Sequence, residues 1–551
     1  MKAFSALIEG LAFMPSRNGK LRLLEDYFAH APDPDRGWAL AALTDGLDFP
    51  AAKAGMIRGL AAERVDSELF AWSYDYVGDL AETVSLIWPE RPGANRAPDL
   101  HEVVEELGGA TRSDAPRLIE RWLDALTATE RYALIKLVTG GMRVGVSARL
   151  AKTALARLGD REVSDIEEVW HGLEAPYTDL FAWVEGRADR PAIDDRATFR
   201  PLMLANPLDD GEIGSFDIAP YRAEWKWDGI RVQLAARGGE RRLYSRTGDD
   251  ISAAFPDICD AMDFDAVLDG ELLVAHPVDP AQAGADGGAG GIVTGAPAVA
   301  VASFNQLQQR LNRKTVSAKM LKQYPAWVRL YDILFVGGED VRGLDFDLRR
   351  ARLEAWYDGT RPARMDLSEV IAFRGWDDLA EIRAGARAAA IEGLMLKRGD
   401  APYVSGRPKG PWFKWKRDPL TVDAVLMYAQ RGHGKRSSFY SDFTFGTWRP
   451  VEGEEGPMRE LVPVGKAYFG FTDQELAQLD KWVRTHTVDR FGPVRAVEPG
   501  LVLEIAFDSV HRSPRHKSGV AMRFPRVHRI RWDKPAEEAD RLETLEALIV
   551  E

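Results

Sequence analysis

The sequence predicts a multidomain α+β protein, and three observations carry that prediction. Apolar residues recur at three- and four-residue spacing up to about Asp195, alternating β-rich runs take over from about Phe199, and short strands with turns follow Asp418. At 551 residues the chain is longer than one hydrophobic core usually supports, so the expected divisions are 1–198, 199–418 and 419–551.

The first part is expected to be all helical, with helices over Leu21–Phe28, Leu118–Leu126 and Tyr132–Leu137. One link in it has chemical interest. Thr139-Gly140-Gly141-Met142-Arg143-Val144-Gly145-Val146-Ser147 leads into a helical run, Ala148–Leu158. Ser147 is a candidate N-cap, and the free amides of a helix start beside Arg143, Arg149 and Lys152 suit a phosphate oxygen. A glycine-rich interhelical turn with solvated arginines would read the same way.

In the second part, Tyr221–Leu234 and Arg241–Arg246 flank Arg237-Gly238-Gly239-Glu240, a two-glycine hairpin signal. Further strands are expected at Ala266–Val274, Val328–Val336, Ile391–Lys397 and Pro411–Lys416. The stretch 276–301 is rich in Gly, Ala and Pro and is expected to be a mobile surface insertion. In the third part, strands at Val422–Tyr428, Phe439–Thr447 and Leu501–Phe507 with a helix at Thr472–Val483 suit a small closed or partly open barrel.

Composition narrows the function classes. A net charge of −13 argues against a uniformly basic surface but leaves room for a local basic groove. The single cysteine, Cys259, excludes an intramolecular disulfide framework and a zinc site built from several thiolates. Glu9 interrupts the apolar start, and no apolar run reaches the roughly 18 residues a membrane helix needs, so a cytoplasmic protein that contacts no membrane is expected.

The chemistry centres on Glu224-Trp225-Lys226-Trp227-Asp228-Gly229-Ile230-Arg231. Alternation puts Glu224 and Lys226 on one strand face, and the glycine is expected to let a nucleotide approach the turn. An amine with an ordinary pKa of about 10.4 attacks phosphorus only where its charge is disfavoured, and crowding by other cations would do that. Alone, the signature also fits a strand ending in an Asp-Gly turn with a solvated lysine. Ordered pieces then follow: Ser245-Arg246-Thr247-Gly248, Asp269-Gly270-Glu271-Leu272, Tyr331-Asp332-Ile333-Leu334, Glu392-Gly393-Leu394-Met395-Leu396-Lys397, Lys414-Trp415-Lys416 and Arg523-Phe524-Pro525-Arg526. Together they offer an amine nucleophile, an aromatic face, hard oxygens for a divalent cation and cations for a triphosphate.

The set resembles the six collinear motifs of the covalent nucleotidyltransferase superfamily, and most closely those of ATP-dependent DNA ligases of three-domain, bacterial repair type. The resemblance covers nearly the whole chain. It implies a helical DNA-binding domain, an α+β nucleotidyltransferase core of ATP-grasp-like form and an OB-fold β-barrel. It implies that Lys226 takes AMP from ATP as a phosphoramidate, that Glu224 reads the adenine amino group, that Arg231 and Glu271 meet the ribose, and that Tyr331 stacks on the base. Arg246 would lie near the ribose or the 5′-phosphate of a nick. Glu392 and Glu271 would hold Mg²⁺, with Mn²⁺ an alternative, and Lys414 and Lys416 would contact the α-phosphate. Arg523 and Arg526, on a mobile third domain, would orient pyrophosphate in the first step. Arg407 is the candidate for a basic residue that relatives carry before the lysine-pair strand, within one or two positions. Tyr331 stands where relatives usually have phenylalanine. The implied partner is nicked duplex DNA, clamped by a monomer without zinc. Alternatives are an RNA ligase, an RNA-capping nucleotidyltransferase and a non-catalytic DNA clamp.

Overall fold

The computed structural model describes the chain except residues 92–95, 141, 193–196, 209, 278–298, 303, 312, 314, 386–390, 432–438, 454–455, 493 and 550–551. Gly141 and most of the expected Gly-rich insertion therefore lie outside the described residues. The chain forms two compact units, Met1–Lys416 and Arg417–Glu551.

Up to Val184 every regular element among the described residues is a helix. Helices Arg17–His30 and Ala128–Thr139 contain two of the expected ones, Ala115–Ala125 covers all of the third but its last residue, Leu126, and Ala148–Leu158 has the expected bounds. The 3.6-residue period is visible in burial: Phe4, Leu7, Ile8 and Leu11 of Lys2–Phe13 all face one core. Each such apolar side chain contributes roughly 1.5–3 kcal/mol when taken out of water. Thr127 caps its helix through a reciprocal pairing with Glu130. Gly140 ends that helix in the left-handed region at φ 69°, a backbone that glycine adopts without strain.

Two sheets follow within the same unit. The first orders its strands as Asn206–Pro207, Trp412–Lys416, Ile391–Arg398, Tyr221–Trp227 and Val370–Ile371. The second runs Glu240–Ser245, Ile230–Arg237, Ala266–Pro277, Ala326–Val336 and Glu339–Asp340, with Val299–Val301 and Met365–Leu367 on its margins. Ala235, Tyr244, Val267 and Leu334 of the second sheet share a core with Trp412 of the first. The hairpin at Gly238-Gly239 is as expected, with φ of 59° and 84°, the pair of positive values that a two-residue turn between twisted strands requires.

The expected single strand Tyr221–Leu234 is instead two. Tyr221–Trp227 pairs in the first sheet and Ile230–Arg237 in the second, so Asp228-Gly229 carries the chain from sheet to sheet. At Gly229 a Cβ would lie 2.5 Å from the Leu272 carbonyl oxygen and 2.9 Å from Glu271 Cγ, so the missing side chain admits the neighbouring strand, and Gly229 also lines the cleft between the two sheets.

In the C-terminal unit, Leu420–Arg431 pairs with Val502–Phe507 along its first half and with Val494–Val497 along its second, while Tyr440–Gly453 covers its other edge. One strand serving three partners is strongly coiled, and the sheet curls round a core that includes Phe443, Phe445 and Phe507. The expected helix is Asp473–Thr485, capped by Thr472 and Glu475, and it buries Leu476, Leu479 and Val483 against that core.

Candidate active site

A cleft of about 390 Å³ opens between the two sheets of the first unit, within the size range of small-molecule sites. Glu224, Lys226, Arg231, Arg246, Glu271, Tyr331, Glu392, Lys414 and Lys416 all line it, so nine of the side chains singled out in the sequence converge. Arg407 is not among the lining residues, but its charge acts on Lys414. Arg523 and Arg526 belong to the C-terminal unit, where Arg526 pairs with Asp508 at 3.2 Å and the Arg523 guanidinium lies 5.2 Å from the Phe524 ring centre.

Pairing explains how distant residues share this face. Glu224 stands opposite Met395, and Lys226 opposite Gly393, which in turn faces Lys416 on the next strand. Regular alternation would send Glu392 to the other side of the sheet. The register shifts between Ile391 and Gly393, Gly393 takes φ 142°, and the bulge turns Glu392 toward Lys226. Tyr331 gains its position by the same device. Asp269 pairs with Asp332 and Gly270 with Leu330, leaving Tyr331 as the extra residue that enters the cleft.

Lys226 Nζ donates to Glu392 Oε2 at 2.6 Å, and Lys416 Nζ lies 3.2 Å from the same oxygen. Burial pushes Glu392 upward, but the two ammoniums outweigh it and hold the carboxyl at about 2. Glu271 moves the other way. Burial, with the Glu392 charge adding to it, pushes Glu271 up to about 7 against the pull of Lys226 and Arg231. Lys414 is lowered by burial first, then by Arg407, Lys226, Lys416 and Arg246.

The cationic crowding expected at Lys226 is thus placed differently. Arg231 is engaged by buried Asp269 at 2.7 Å, by the Met203 carbonyl at 2.7 Å and by the Tyr403 hydroxyl at 3.1 Å. Its charge is largely answered by Asp269, and the partner bonded to Lys226 is an anion.

Glu224 is 2% exposed and Lys397 1% exposed, and Lys397 Nζ donates to Glu224 Oε2 at 2.8 Å. Lys397 also lies 4.4 Å from the Tyr331 ring centre and 4.8 Å from that of Trp412. Glu224 Oε1 accepts no hydrogen bond from the described residues, although it is buried. Arg231 Nε is likewise buried without a partner at the cleft wall. Unmet buried groups of this kind cost about 1–3 kcal/mol each.

Sequence reasoning missed Lys397, Asp269 and Tyr403. Lys397 was legible as the last residue of the Glu392 motif, three positions from Leu394 on an apolar strand, where a buried cation needs an anion. Tyr403 had no local signal, because its partner Asp269 comes from a distant strand.

The donor chemistry suits a divalent cation. Glu271 and Glu392 face one cleft and repel each other, and two carboxylates with phosphate and water oxygens are what Mg²⁺ takes. Among the described residues no group of three or more His, Cys, Asp or Glu forms a protein cage for a metal.

In the helical part, Ser147 caps Ala148–Leu158, accepting from Leu150 N at 3.2 Å. Pro15, Arg17, Lys20, Gly145, Ser147, Arg149 and Leu150 line a second cavity at that helix start. Arg143 and Arg149 are exposed, and Arg149 lies 3.3 Å from Glu167. Lys152 departs from its expected surface position: it is 9% exposed, with its ammonium 4.1 Å from the Trp170 ring centre. Position 152 falls on the inner stripe with Ala151 and Leu155, and burial lowers its amine to about 8.

Known proteins place the whole. The profile of the ATP dependent DNA ligase domain matches residues 202–285 and 290–416, and that of the ATP dependent DNA ligase C terminal region matches 436–534. A probable DNA ligase of Koribacter versatilis is 32% identical over 527 residues, covering 91% of this chain and 81% of the relative. DNA ligase 1 of Korarchaeum cryptofilum is 26% identical over 565 residues, covering 98% and 97%. The solved structure titled Pmar-Lig_PreS3 shares the fold, with a TM-score of 0.56 at 16% identity over 96% of this chain and 99% of its own. No helix among the described residues is long and apolar enough to cross a membrane. The chain belongs to the ATP-dependent DNA ligase family.

Proposed function

We propose that this protein seals nicks in duplex DNA with ATP, through an AMP carried on Lys226. The observation that carries the reading is the Lys226–Glu392 pair, set in a cleft whose opposite wall supplies Tyr331 and whose floor holds the buried, unbonded Glu224 Oε1. In the first step Lys226 Nζ, having lost a proton, attacks the α-phosphorus of ATP. An N–P bond forms, the bond to the bridging oxygen breaks, and pyrophosphate leaves. In the second, a 5′-phosphate oxygen at the nick attacks the same phosphorus and the lysine amine departs. In the third, the 3′-hydroxyl attacks the 5′-phosphate and AMP leaves. Positioning and charge neutralisation supply most of the catalysis in such transfers.

Tyr331 would stack on the base and Glu224 would accept from its amino group. Arg231, through its unpaired Nε, would meet the ribose with Glu271, and Arg246 the ribose or the 5′-phosphate. Lys414, Lys416 and Arg407 would neutralise the phosphates, and Arg523 and Arg526 of the C-terminal unit would orient pyrophosphate in the first step only. Glu271 and Glu392 would hold Mg²⁺, or Mn²⁺, which when bound supplies charge for the triphosphate oxygens. Arg143, Ser147 and Arg149 would contact DNA phosphates, joined by Arg17 and Lys20 at the same cavity. A helical DNA-binding domain of residues 1–198, a nucleotidyltransferase core of 199–418 and an OB-fold of 419–551, acting as a monomer, complete the reading.

The test is sealing of a nicked duplex by the purified full chain with ATP, with GTP, and with an RNA nick. ATP-dependent sealing of DNA is expected; activity confined to RNA or to GTP would overturn the reading.

A further inference from the structure

Glu224 is held by two cations, and only one of them bonds it. Lys397 takes Oε2, whereas Arg350 Nη1 stands 3.9 Å from Oε1, beyond hydrogen-bonding distance. Both Glu224 Oε1 and Arg350 Nη1 are buried without a hydrogen-bond partner among the described residues. Two complementary buried groups that do not close on each other are costly, and here the gap has an identifiable cause. Arg350 lies on the helix Phe346–Thr360, and its Nε is tethered to Glu354 Oε1 at 2.7 Å. The preceding residue, Arg349, is fixed by the fully buried Asp332, with contacts of 2.9 and 3.1 Å. The helix is therefore clamped beside the Tyr331 bulge, and Arg350 is kept from collapsing onto the carboxylate.

We infer that Arg350 is a positioning residue for base selection: it neutralises Glu224 from a distance and so leaves the buried Oε1 unbonded, its lone pairs kept for a hydrogen bond from the 6-amino group of a purine. This rests on the reading of the cleft as an adenine-nucleotide site. A carboxylate is acceptor-only, so an exocyclic amine satisfies Oε1, while the 6-oxo group of guanine would set two acceptors against each other. Were Arg350 to bond Oε1 directly, the acceptor would be consumed. Were Arg350 absent, a carboxylate with only Lys397 beside it would turn wholly to that lysine.

The experiment compares ATP with purine riboside triphosphate, which lacks the 6-amino group, as substrates for nucleotidyl transfer to the full chain, read by protein mass and by kcat/KM. The wild type is expected to prefer ATP by roughly tenfold or more, the worth of one hydrogen bond to a charged group. Arg350→Met should lose most of that ratio, chiefly by raising KM for ATP while leaving the analogue nearly unchanged. Glu354→Ala, at a half-exposed position, removes the acceptor that tethers Arg350 Nε and should lower the ratio in the same direction by releasing Arg350 onto Oε1, and it decides the matter if Arg350→Met does not fold. A ratio unchanged in both variants, or in Glu354→Ala alone where Arg350→Met does not fold, overturns the role of Arg350. A wild type that does not distinguish the two nucleotides overturns the reading of Glu224 itself.

Discussion

Lys152 offers a prediction whose size follows from its surroundings. Burial against Trp170 lowers its amine from 10.5 to about 8, with Glu167 opposing and Arg149 adding to the fall. At about 1.4 kcal/mol per tenfold, keeping the proton at pH 7 costs the folded state about 3 kcal/mol. Contact with the indole face returns up to about 2 kcal/mol of that. Lys152→Met retains the stem's volume and removes the charge, so the variant should be more stable than the wild type by about 1–2 kcal/mol at pH 7. Because the unfolded chain holds the proton up to 10.5 and the folded one only to about 8, wild-type stability rises with pH across that window. The advantage of the variant should therefore fade above pH 8. Urea denaturation from pH 6.5 to 10.5 measures this directly. A variant less stable at pH 7, by an amount that does not vary with pH, would refute the reasoning. Nicked-DNA affinity gives an independent check: Lys152→Met should leave the salt slope unaltered, while Arg143→Ala and Arg149→Ala should each reduce it by about one.

Three further outcomes follow. His171 is packed on Phe199 and Tyr244, and burial with Lys152 nearby lowers it to about 3, so stability should fall by up to about 5 kcal/mol as pH drops from 6.5 to 3; His171→Phe should flatten that slope in acid denaturation curves, and an unaltered slope would contradict the burial argument. Lys397→Met strands a buried carboxylate and should destabilise by roughly 3–5 kcal/mol, whereas adding Glu224→Gln should recover much of the loss in a double-mutant cycle; independent, additive costs would show the pair is not coupled. Gly229→Ala drives a methyl into the Leu272 carbonyl and should abolish nucleotidyl transfer while Gly239→Ala, with no atom within 4 Å of the added Cβ but a φ of 84°, should cost only about 1 kcal/mol of stability; full transfer activity in Gly229→Ala would show that the sheet-to-sheet link is not tight.

Much of the site was legible because it is written in local order: a lysine two residues from a glutamate on one strand, glycines at a hairpin, a cluster of cations on another strand. What escaped was set by pairing across long separations. The bulges that aim Tyr331 and Glu392 depend on which residue of a partner strand lies opposite, and the only local sequence sign of either is Gly393 beside Glu392. Arg231 reads as a free guanidinium until Asp269, on the adjacent strand, and Tyr403 are seen to hold it. Lys152 misled because four basic or polar residues beside a helix start look like one surface, whereas the helical period turns position 152 inward with Ala151 and Leu155. The period also shows why the helices themselves were found: burial at 3.6-residue spacing is a property of the local sequence, and most expected bounds lie within a few residues of those observed.

The central claim is that Lys226 carries the nucleotide. The direct measurement is incubation of the full chain with α-phosphate-labelled ATP and Mg²⁺, followed by denaturing electrophoresis and peptide mapping. Acid-labile label is expected on the Lys226 peptide, lost in Lys226→Ala although that variant stays folded and still binds ATP. Label that persists in Lys226→Ala, or that maps to another residue of the wild type, would contradict it.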